Sequence, residues 1–179
     1  MGKGTLVKLL MEEDDSLSLS ISCTTRKPRE GEEEGLAYFF ITREEFLKRI
    51  DEGDFLEWDE HFSNYYGTPK SFVMQQLKDK SVILEIEVKG ALQVKEALKN
   101  EHIDPVLIMV APPDEEALYK RLAHRASESK EQVALRIERA KYELSQKEIY
   151  DYTVVNDDLS EAKRTLQEII ETEKSKRRF

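Results

Sequence analysis

Two apolar runs, SVILEIEV at 81–88 and PVLIMVAPP at 105–113, constrain the fold most strongly. They begin or continue as unbroken apolar stretches, which is typical of strands buried on both faces. Helical patterns separate and follow them, and a further strand pattern, YTVVND, occupies 152–157. Amphipathic patterns at 5–13 and 159–174 predict helices at the two ends of the chain. Strands that alternate with helices in this way predict an α/β fold with a parallel sheet flanked by helices.

The segment 22–68 interrupts that alternation. It contains a charged loop, TTRKPREGEEEG, a strand pattern at 36–41 and a second strand pattern, FLEWDEHF. Between these strands, Thr42 and Glu45 have the spacing of a capping box and predict the start of a helix. We therefore expect a small antiparallel insertion, 22–68, on a core formed by 1–21 and 69–179, within one folding unit.

A polar and arginine-rich stretch at about 122–140 predicts a helical excursion over the core, here called the lid. Its arginines include Arg125 and Arg136. Runs of charge of this kind are usually solvated, so a functional role needs support from other residues.

Composition excludes several classes of protein. The 28 basic and 37 acidic side chains give a net charge of −9, which disfavours a nucleic-acid binder. Cys23 is the one cysteine of the sequence, so no intrachain disulfide can form. No apolar run reaches the roughly 18 residues of a membrane span, and no signal peptide is evident. These features predict a cytoplasmic protein that does not contact a membrane.

The chain opens with MGKGTLVKLL, in which Gly2, Lys3 and Thr5 match the last part of a phosphate-binding loop. In such a loop the lysine reaches the β and γ phosphates, and the start of the following helix holds the anion. Gly4 stands where a magnesium-binding serine or threonine is common, so Mg²⁺ would depend on nucleotide oxygens and water. The alternative interpretation is the start of an ordinary helix.

Arg26 and Arg29 flank Pro28 in the charged loop, and planar guanidinium groups suit a phosphate dianion. Tyr38 and Tyr66 lie in the same insertion and could complete a phosphate pocket through their hydroxyls. The alternative is that the arginines are solvated and that each tyrosine is a half-buried strand residue.

Three acids stand in apolar surroundings, where a carboxylate is costly unless it is paired or used. Glu57 lies within FLEW, and Glu85 and Glu87 lie at the end of the predicted strand 81–88. Ligands of open α/β sheets bind at the carboxyl ends of strands, which makes these acids candidates for a site. The alternative is that Glu85 and Glu87 form a cap or pair with Lys89.

With these motifs in order, the sequence resembles the guanylate kinases, a family of nucleoside monophosphate kinases. The resemblance is carried by GKGTL, SISCTTRKPREGE, FLEW, NYYGT, LEIEVKGA, APP, RIERAKYE and VVNDDL. It implies a P-loop sheet flanked by helices, with a small mixed β insertion that binds GMP and a helical lid. It also implies transfer of the γ-phosphoryl group of ATP to GMP, giving ADP and GDP, with Mg²⁺.

The resemblance assigns a role to each matching residue of the insertion and of the segment after 81–88. Guanine would be faced by Ser22, Glu57 and Glu87, with Thr68 on the base side. The GMP phosphate would be gripped by Arg26, Arg29, Tyr38 and Tyr66, and Glu32 would belong to the same loop.

The remaining roles concern ATP and the transferred group. Gly2, Lys3, Gly4 and Thr5 would hold ATP phosphates, and Asn156 would lie near the adenine. Arg125 and Arg136 would close on the transferring phosphoryl group, and Glu85 would act near the metal and its waters.

Members of that family begin with a buried strand and a glycine-rich turn before the Gly-Lys pair, and neither precedes Gly2 here. We therefore expect further residues upstream of Met1. An alternative function is a guanylate-kinase-like scaffold that binds a protein partner and has lost catalysis. As an enzyme, the chain would have small-molecule partners, GMP and ATP, and would be a monomer or a homodimer.

Overall fold

The computed structural model describes residues 2–61, 63–123 and 130–177, with their side chains except at 121–123, 130–136 and 139. The helices are α1 (Lys3–Glu13), α2 (Arg43–Asp51), α3 (Lys70–Gln76), α4 (Val88–Lys99), α5 (Glu115–Ala123), α6 (Lys130–Ser145) and α7 (Leu159–Lys176). The strands are β1 (Leu17–Leu19), β2 (Cys23–Thr24), β3 (Phe39–Phe40), β4 (Phe55–His61), β5 (Asn64–Pro69), β6 (Ser81–Ile83), β7 (Ile108–Ala111) and β8 (Tyr152–Val155).

The chain forms two compact units, and each contains one pair of parallel strands. One unit comprises Met1–Glu12 and Val106–Phe179, and the other comprises Glu13–Pro105. In the first, β7 pairs with β8 from Ile108 opposite Tyr152 onward. In the second, β1 pairs with β6 from Leu17 opposite Ser81 onward. The predicted α/β class with parallel strands and flanking helices is thereby confirmed.

The Glu13–Pro105 unit also holds a four-stranded sheet in the order β3-β2-β5-β4. Strand β5 runs antiparallel to both of its neighbours, β2 and β4. Strand β2, in contrast, runs parallel to β3. The sheet is therefore mixed, as the resemblance implies, and only the antiparallel arrangement expected from the strand patterns alone is incomplete. The long charged loop between β2 and β3 returns the chain to the end of the sheet where β2 began, so β3 runs parallel to β2.

Several strands are shorter than their apolar patterns predict. Strand β6 ends at Ile83, where its partner β1 also ends, and the rest of 81–88 forms a connection that leads into α4. The pattern at 36–41 yields only Phe39–Phe40, because β2 offers just two residues for pairing. Glu85 and Glu87 therefore lie beyond the strand end and not within the strand.

Helix α2 begins as predicted, with the Thr42 hydroxyl accepting a hydrogen bond from the Glu45 N–H at 3.1 Å. Its buried residue Phe46 stacks on Phe55 and Tyr65, with ring centroids 4.4 and 5.2 Å away. Cys23 is buried in the same cluster. Burial raises the pKa of that thiol to about 11, so it remains protonated and serves as a small apolar side chain.

Helices cover the strands of the other unit. Leu6 and Leu10 of α1 are buried, as are Val154 of β8 and Leu166 of α7. The predicted helices at 5–13 and 159–174 are confirmed, and Asp158 caps α7 by accepting a hydrogen bond from the Glu161 N–H. Over the described part of the chain, no helix combines the length and apolarity needed to cross a membrane.

Phe46 offers a test of how strongly the four-stranded sheet depends on its cover helix. Phe46→Ala should lower the free energy of unfolding by about 3–5 kcal/mol, because it removes a fully buried ring from an aromatic stack. Urea unfolding followed by circular dichroism measures the change. Leu47→Ala, at the neighbouring exposed position of α2, is the control and should cost less than about 1 kcal/mol. Equal losses would contradict this account of the packing.

Candidate active site

A buried acid lies opposite a buried hydroxyl in the four-stranded sheet. Glu57 of β4 pairs in register with Thr68 of β5, just after a β-bulge that follows Phe55. The Thr68 hydroxyl donates a hydrogen bond of 2.6 Å to Glu57 Oε1. The two residues are 8% and 1% exposed, so the carboxylate has left bulk water. The Thr68 backbone N–H also acts on this carboxylate, and together the two Thr68 groups still leave acceptor capacity for a ligand.

The first turn of α4 leaves room for that carboxylate because residue 90 is glycine. A Cβ atom at Gly90 would stand 2.8 Å from Glu57 Oε2 and 3.2 Å from its Cδ. Both distances are shorter than ordinary van der Waals contact. A side chain at position 90 would therefore collide with the Glu57 carboxylate in its present position.

Burial raises the pKa of Glu57 above its ordinary value. The hydrogen bond from Thr68 acts in the opposite direction, and the negative charges of Asp59 and Glu87 raise the pKa further. A buried carboxylate with a raised pKa gains most from a ligand that presents N–H donors, since these replace the lost hydration.

A second group of residues lies in the same unit and is here called the anion pocket: Arg26, Arg29, Glu32, Tyr38 and Tyr66. Arg26 Nη2 lies 2.9 Å from each carboxylate oxygen of Glu32, and the Arg29 N–H donates to Glu32 Oε2 at 2.8 Å. Burial alone would lower the pKa of Arg26, but hydrogen bonds to Glu32 and Tyr66 raise it. The Arg29 backbone N–H, followed by Arg26, lowers the pKa of Glu32. Both partners are therefore charged near neutral pH.

Two tyrosines complete the anion pocket. The rings of Tyr38 and Tyr66 meet edge to face with centroids 6.0 Å apart, and the Arg26 guanidinium lies 5.5 Å from the Tyr38 ring centroid. Burial raises the pKa of Tyr38, and the pull of Arg26 opposes that rise. The two hydroxyls are thus available as donors beside a fixed positive charge.

The other predicted residues of this unit lie at the margins of the two pockets. Ser22 is half-buried between β1 and β2, and its carbonyl accepts a hydrogen bond from the Phe39 N–H. The Arg29 side chain and Glu85 are exposed. Glu87 occupies the N-cap position of α4 without a side-chain capping bond, and its carboxylate lies 3.8 Å from His61 Nε2.

The Gly-Lys segment lies in the other unit, at the start of α1. Gly2 has φ +88°, and a Cβ atom there would approach Asn156 Nδ2 to 2.6 Å. Asn156 is 6% exposed and directly follows β8. The structure thus brings Gly2 and Asn156 together at the carboxyl end of a parallel strand. Lys3 begins the helix, and Gly4 and Thr5 are exposed in its first turn.

The predicted lid falls partly outside the described residues. Arg125 lies in the segment 124–129, of which the structure describes nothing. Arg136 lies on α6, and the structure describes its backbone but not its side chain.

Four further residues adjoin Glu57 that the sequence analysis did not assign to the site. Asp59 and His61 follow Glu57 at alternate positions of β4, and Gly90 and Lys89 belong to the first turn of α4. The side chain of Lys89 forms an ion pair with Asp59, and not with Glu85 or Glu87. The alternation of β4 could have revealed Asp59 and His61, because residues two apart in a strand share a face.

These features define a class of protein. A glycine-lysine turn opens a helix beside the end of a parallel strand, which is typical of α/β proteins that bind nucleotides. The other unit holds a buried acid and a separate group of arginine and tyrosine side chains.

Comparison with known proteins identifies the family. Residues 1–173 match the guanylate kinase family model. The guanylate kinase of Clostridium perfringens (strain 13 / Type A) is 46% identical over 174 residues, which cover 97% of this chain and 79% of that protein. That of Synechocystis sp. is 46% identical over 171 residues, covering 95% and 87%.

A solved structure agrees with these sequences. The crystal structure of guanylate kinase from Anaplasma phagocytophilum matches with a TM-score of 0.74 and 32% identity, over 95% of this chain and 81% of that one. The chain therefore belongs to the guanylate kinase family, whose members are ATP:GMP phosphotransferases. Nothing in these comparisons favours the scaffold alternative.

Gly90 gives a direct test of the Glu57 recess. Gly90→Ala should raise the KM for GMP about tenfold, because the new methyl group displaces a carboxylate that has little free space. The free energy of unfolding should fall by about 1–2 kcal/mol, because the displaced carboxylate loses its hydrogen bond from Thr68 and the helix propensity of alanine offsets only part of that loss. Steady-state kinetics and urea unfolding measure the two effects. A lower stability with an unchanged KM would contradict this description of the recess.

Proposed function

We propose that GMP binds in the Glu13–Pro105 unit, with Glu57 as the reader of its base. The observation that carries this proposal is the buried Glu57 carboxylate, which accepts a hydrogen bond from Thr68 and occupies the space that the missing side chain of Gly90 leaves. Guanine presents N1–H and the N2 amino group as adjacent donors, which one carboxylate can accept together. Adenine presents an acceptor at N1 and would leave the buried carboxylate unsatisfied. Ser22, Thr68 and Glu87 would line the base around this contact.

The anion pocket would take the phosphate of GMP. The Arg26 guanidinium lies near the ring of Tyr38, which in turn contacts Tyr66. Glu32 holds the Arg26 guanidinium through two oxygens, which preorganises it and reduces the entropy lost on binding. The exposed Arg29 side chain lies in the same loop and would close on the phosphate from outside.

ATP would bind at the start of α1. Gly2, Lys3, Gly4 and Thr5 would place backbone N–H groups, the helix end and an ammonium group against its phosphates. Asn156 would lie near the adenine, and its contact with Gly2 supports a common site for these residues. Phosphoryl transfer depends chiefly on positioning and on positive charge around the transferred group, and Lys3, Arg125 and Arg136 would supply that charge.

Mg²⁺ would enter with the nucleotide. The described residues contain no group of three acidic, histidine or cysteine side chains able to hold a metal, and Gly4 offers no side-chain oxygen. This donor set fits an ion carried by phosphate oxygens and water, with the Thr5 hydroxyl close by and Glu85 near the waters. When bound, the ion neutralises charge on the phosphates.

We further propose that 22–68 acts as the GMP-binding segment and about 122–140 as a lid that excludes water during transfer. The residues assigned to GMP all come from one chain, which is compatible with a monomer or a homodimer. The two substrates are nucleotides of central metabolism, so we propose a cytoplasmic location.

Glu57→Gln tests the reading of guanine. A glutamine amide would turn an N–H donor toward the donors of the base, so kcat/KM for GMP should fall about 10- to 100-fold. The measurement is GMP-dependent release of ADP in a coupled assay, repeated with AMP and IMP. Glu60→Gln, an exposed acid on the same strand, is the control and should leave all three values unchanged. Unaltered GMP kinetics in Glu57→Gln would refute the assignment, and GMP-dependent ADP release at background in the unaltered protein would refute the function.

Arg29→Ala tests the phosphate pocket separately. Loss of one exposed guanidinium should raise the KM for GMP about tenfold and change kcat by less than about threefold, since its contact is with the ground-state phosphate. Lys27→Ala removes a neighbouring exposed charge of the same loop and serves as the control. If both variants raise the KM equally, general electrostatic attraction explains the effect and the specific role of Arg29 is wrong.

A further inference from the structure

Several charged residues surround the Glu57 recess, and the proposed contacts with GMP account for only one of them, Glu87. Asp59 lies two residues beyond Glu57 on β4, and Glu87 precedes α4. Both acids act on Glu57 in the unfavourable sense, because like charges oppose ionisation of a buried carboxyl. A recess that requires an ionised Glu57 must therefore offset two negative charges.

The Lys89 side chain provides that offset at Asp59, and His61 lies beside both acids. The Lys89 ammonium donates a hydrogen bond to Asp59 Oδ1 from the first turn of α4. His61 Nε2 lies 3.3 Å from Asp59 Oδ2 and 3.8 Å from Glu87 Oε2, so it stands between the two acids. Burial alone would raise the pKa of Asp59, but the hydrogen bond from Lys89 and the proximity of His61 contribute to lowering it. Asp59 is therefore ionised, and the Lys89 ammonium forms an ion pair with it.

The other elements that pack against Glu57 add no competing charge. Strand β5, NYYGTP, contains no acidic, basic or histidine side chain. Farther along α4, Glu96 and Lys99 form an ion pair with each other. The charges that act on Glu57 are therefore those of Asp59 and Glu87, and Lys89 pairs with the first of these acids.

We propose that Lys89 is a positioning residue that keeps the Glu57 carboxylate ionised and in place by compensating the charge of Asp59. The inference rests on the proposed role of Glu57 as the reader of guanine. Lys89 also ties the first turn of α4 to β4, which holds Gly90 against the Glu57 carboxylate. Lys89 does not need to touch GMP.

The test is the pH dependence of kcat/KM for GMP in Lys89→Met, measured at saturating ATP from about pH 5 to pH 8. Glu57 is competent when ionised, so activity falls as the pH drops below its pKa. Loss of the Lys89 charge leaves Asp59 uncompensated and moves this fall to higher pH. We expect kcat/KM about threefold lower at about pH 5.5, recovery of the normal value near pH 8 and an unchanged kcat.

Three variants make the outcome decisive. Lys89→Arg keeps the charge and should restore the normal profile, whereas Lys99→Met removes a charge from the same helix and should have no effect. In the Glu57→Gln background, Lys89→Met should produce no shift, because the titrating group is absent. A shift that persists in that background, or a normal profile in Lys89→Met, would overturn the inference.

These outcomes are separate from failure of the proposed function. If Glu57→Gln alone leaves GMP kinetics unchanged, the role of Glu57 is wrong. If Glu57→Gln impairs GMP and Lys89→Met does not shift the profile, only the compensation by Lys89 is wrong.

Discussion

The buried carboxylate of Glu57 is the constraint on which the rest of the proposed GMP site depends. A carboxylate that is 8% exposed has lost its hydration, and the hydroxyl and backbone N–H of Thr68 replace only part of it. The surrounding structure is arranged around that cost. The β-bulge before Glu57 places it opposite Thr68, and Gly90 leaves the space that the carboxylate occupies. A base with two adjacent N–H donors then completes the hydrogen bonding that the protein leaves open.

The same unit separates its charges by function. Negative charge surrounds Glu57, where the proposed ligand would supply donors, and the Arg26 guanidinium lies beside two tyrosines, where that ligand would supply a dianion. Glu32 keeps the Arg26 guanidinium in position and covers its charge in the absence of ligand. A net charge of −9 for the whole chain is therefore no obstacle to binding two anionic nucleotides, because the relevant positive charge is local.

The sequence predicted the class of fold because the spacing of apolar residues along each element follows which of its faces are buried. Strands occur within the patterns at 105–113 and 152–157, and helices occur at the two ends, as predicted. Strand lengths were less predictable, since a strand ends where its partner ends and not where its own apolar residues end. The strand patterns alone did not show the parallel pairing of β2 with β3, because pairing direction is set by the path of a long polar loop.

The acids and arginines of the site could be named from residue type and motif, whereas their supporting contacts could not. The pairing of Lys89 with Asp59, for example, joins residues that lie thirty positions apart and that no local pattern connects.

A crystal structure of the chain with GMP tests the central claim most directly. The account predicts that the Glu57 carboxylate lies within hydrogen-bonding distance, about 2.7–3.2 Å, of both N1 and N2 of guanine, with Thr68 still bound to Oε1 and the phosphate against Arg26. A guanine base bound elsewhere, or one whose N1 and N2 are held by water or main-chain carbonyls while Glu57 faces away, would contradict it.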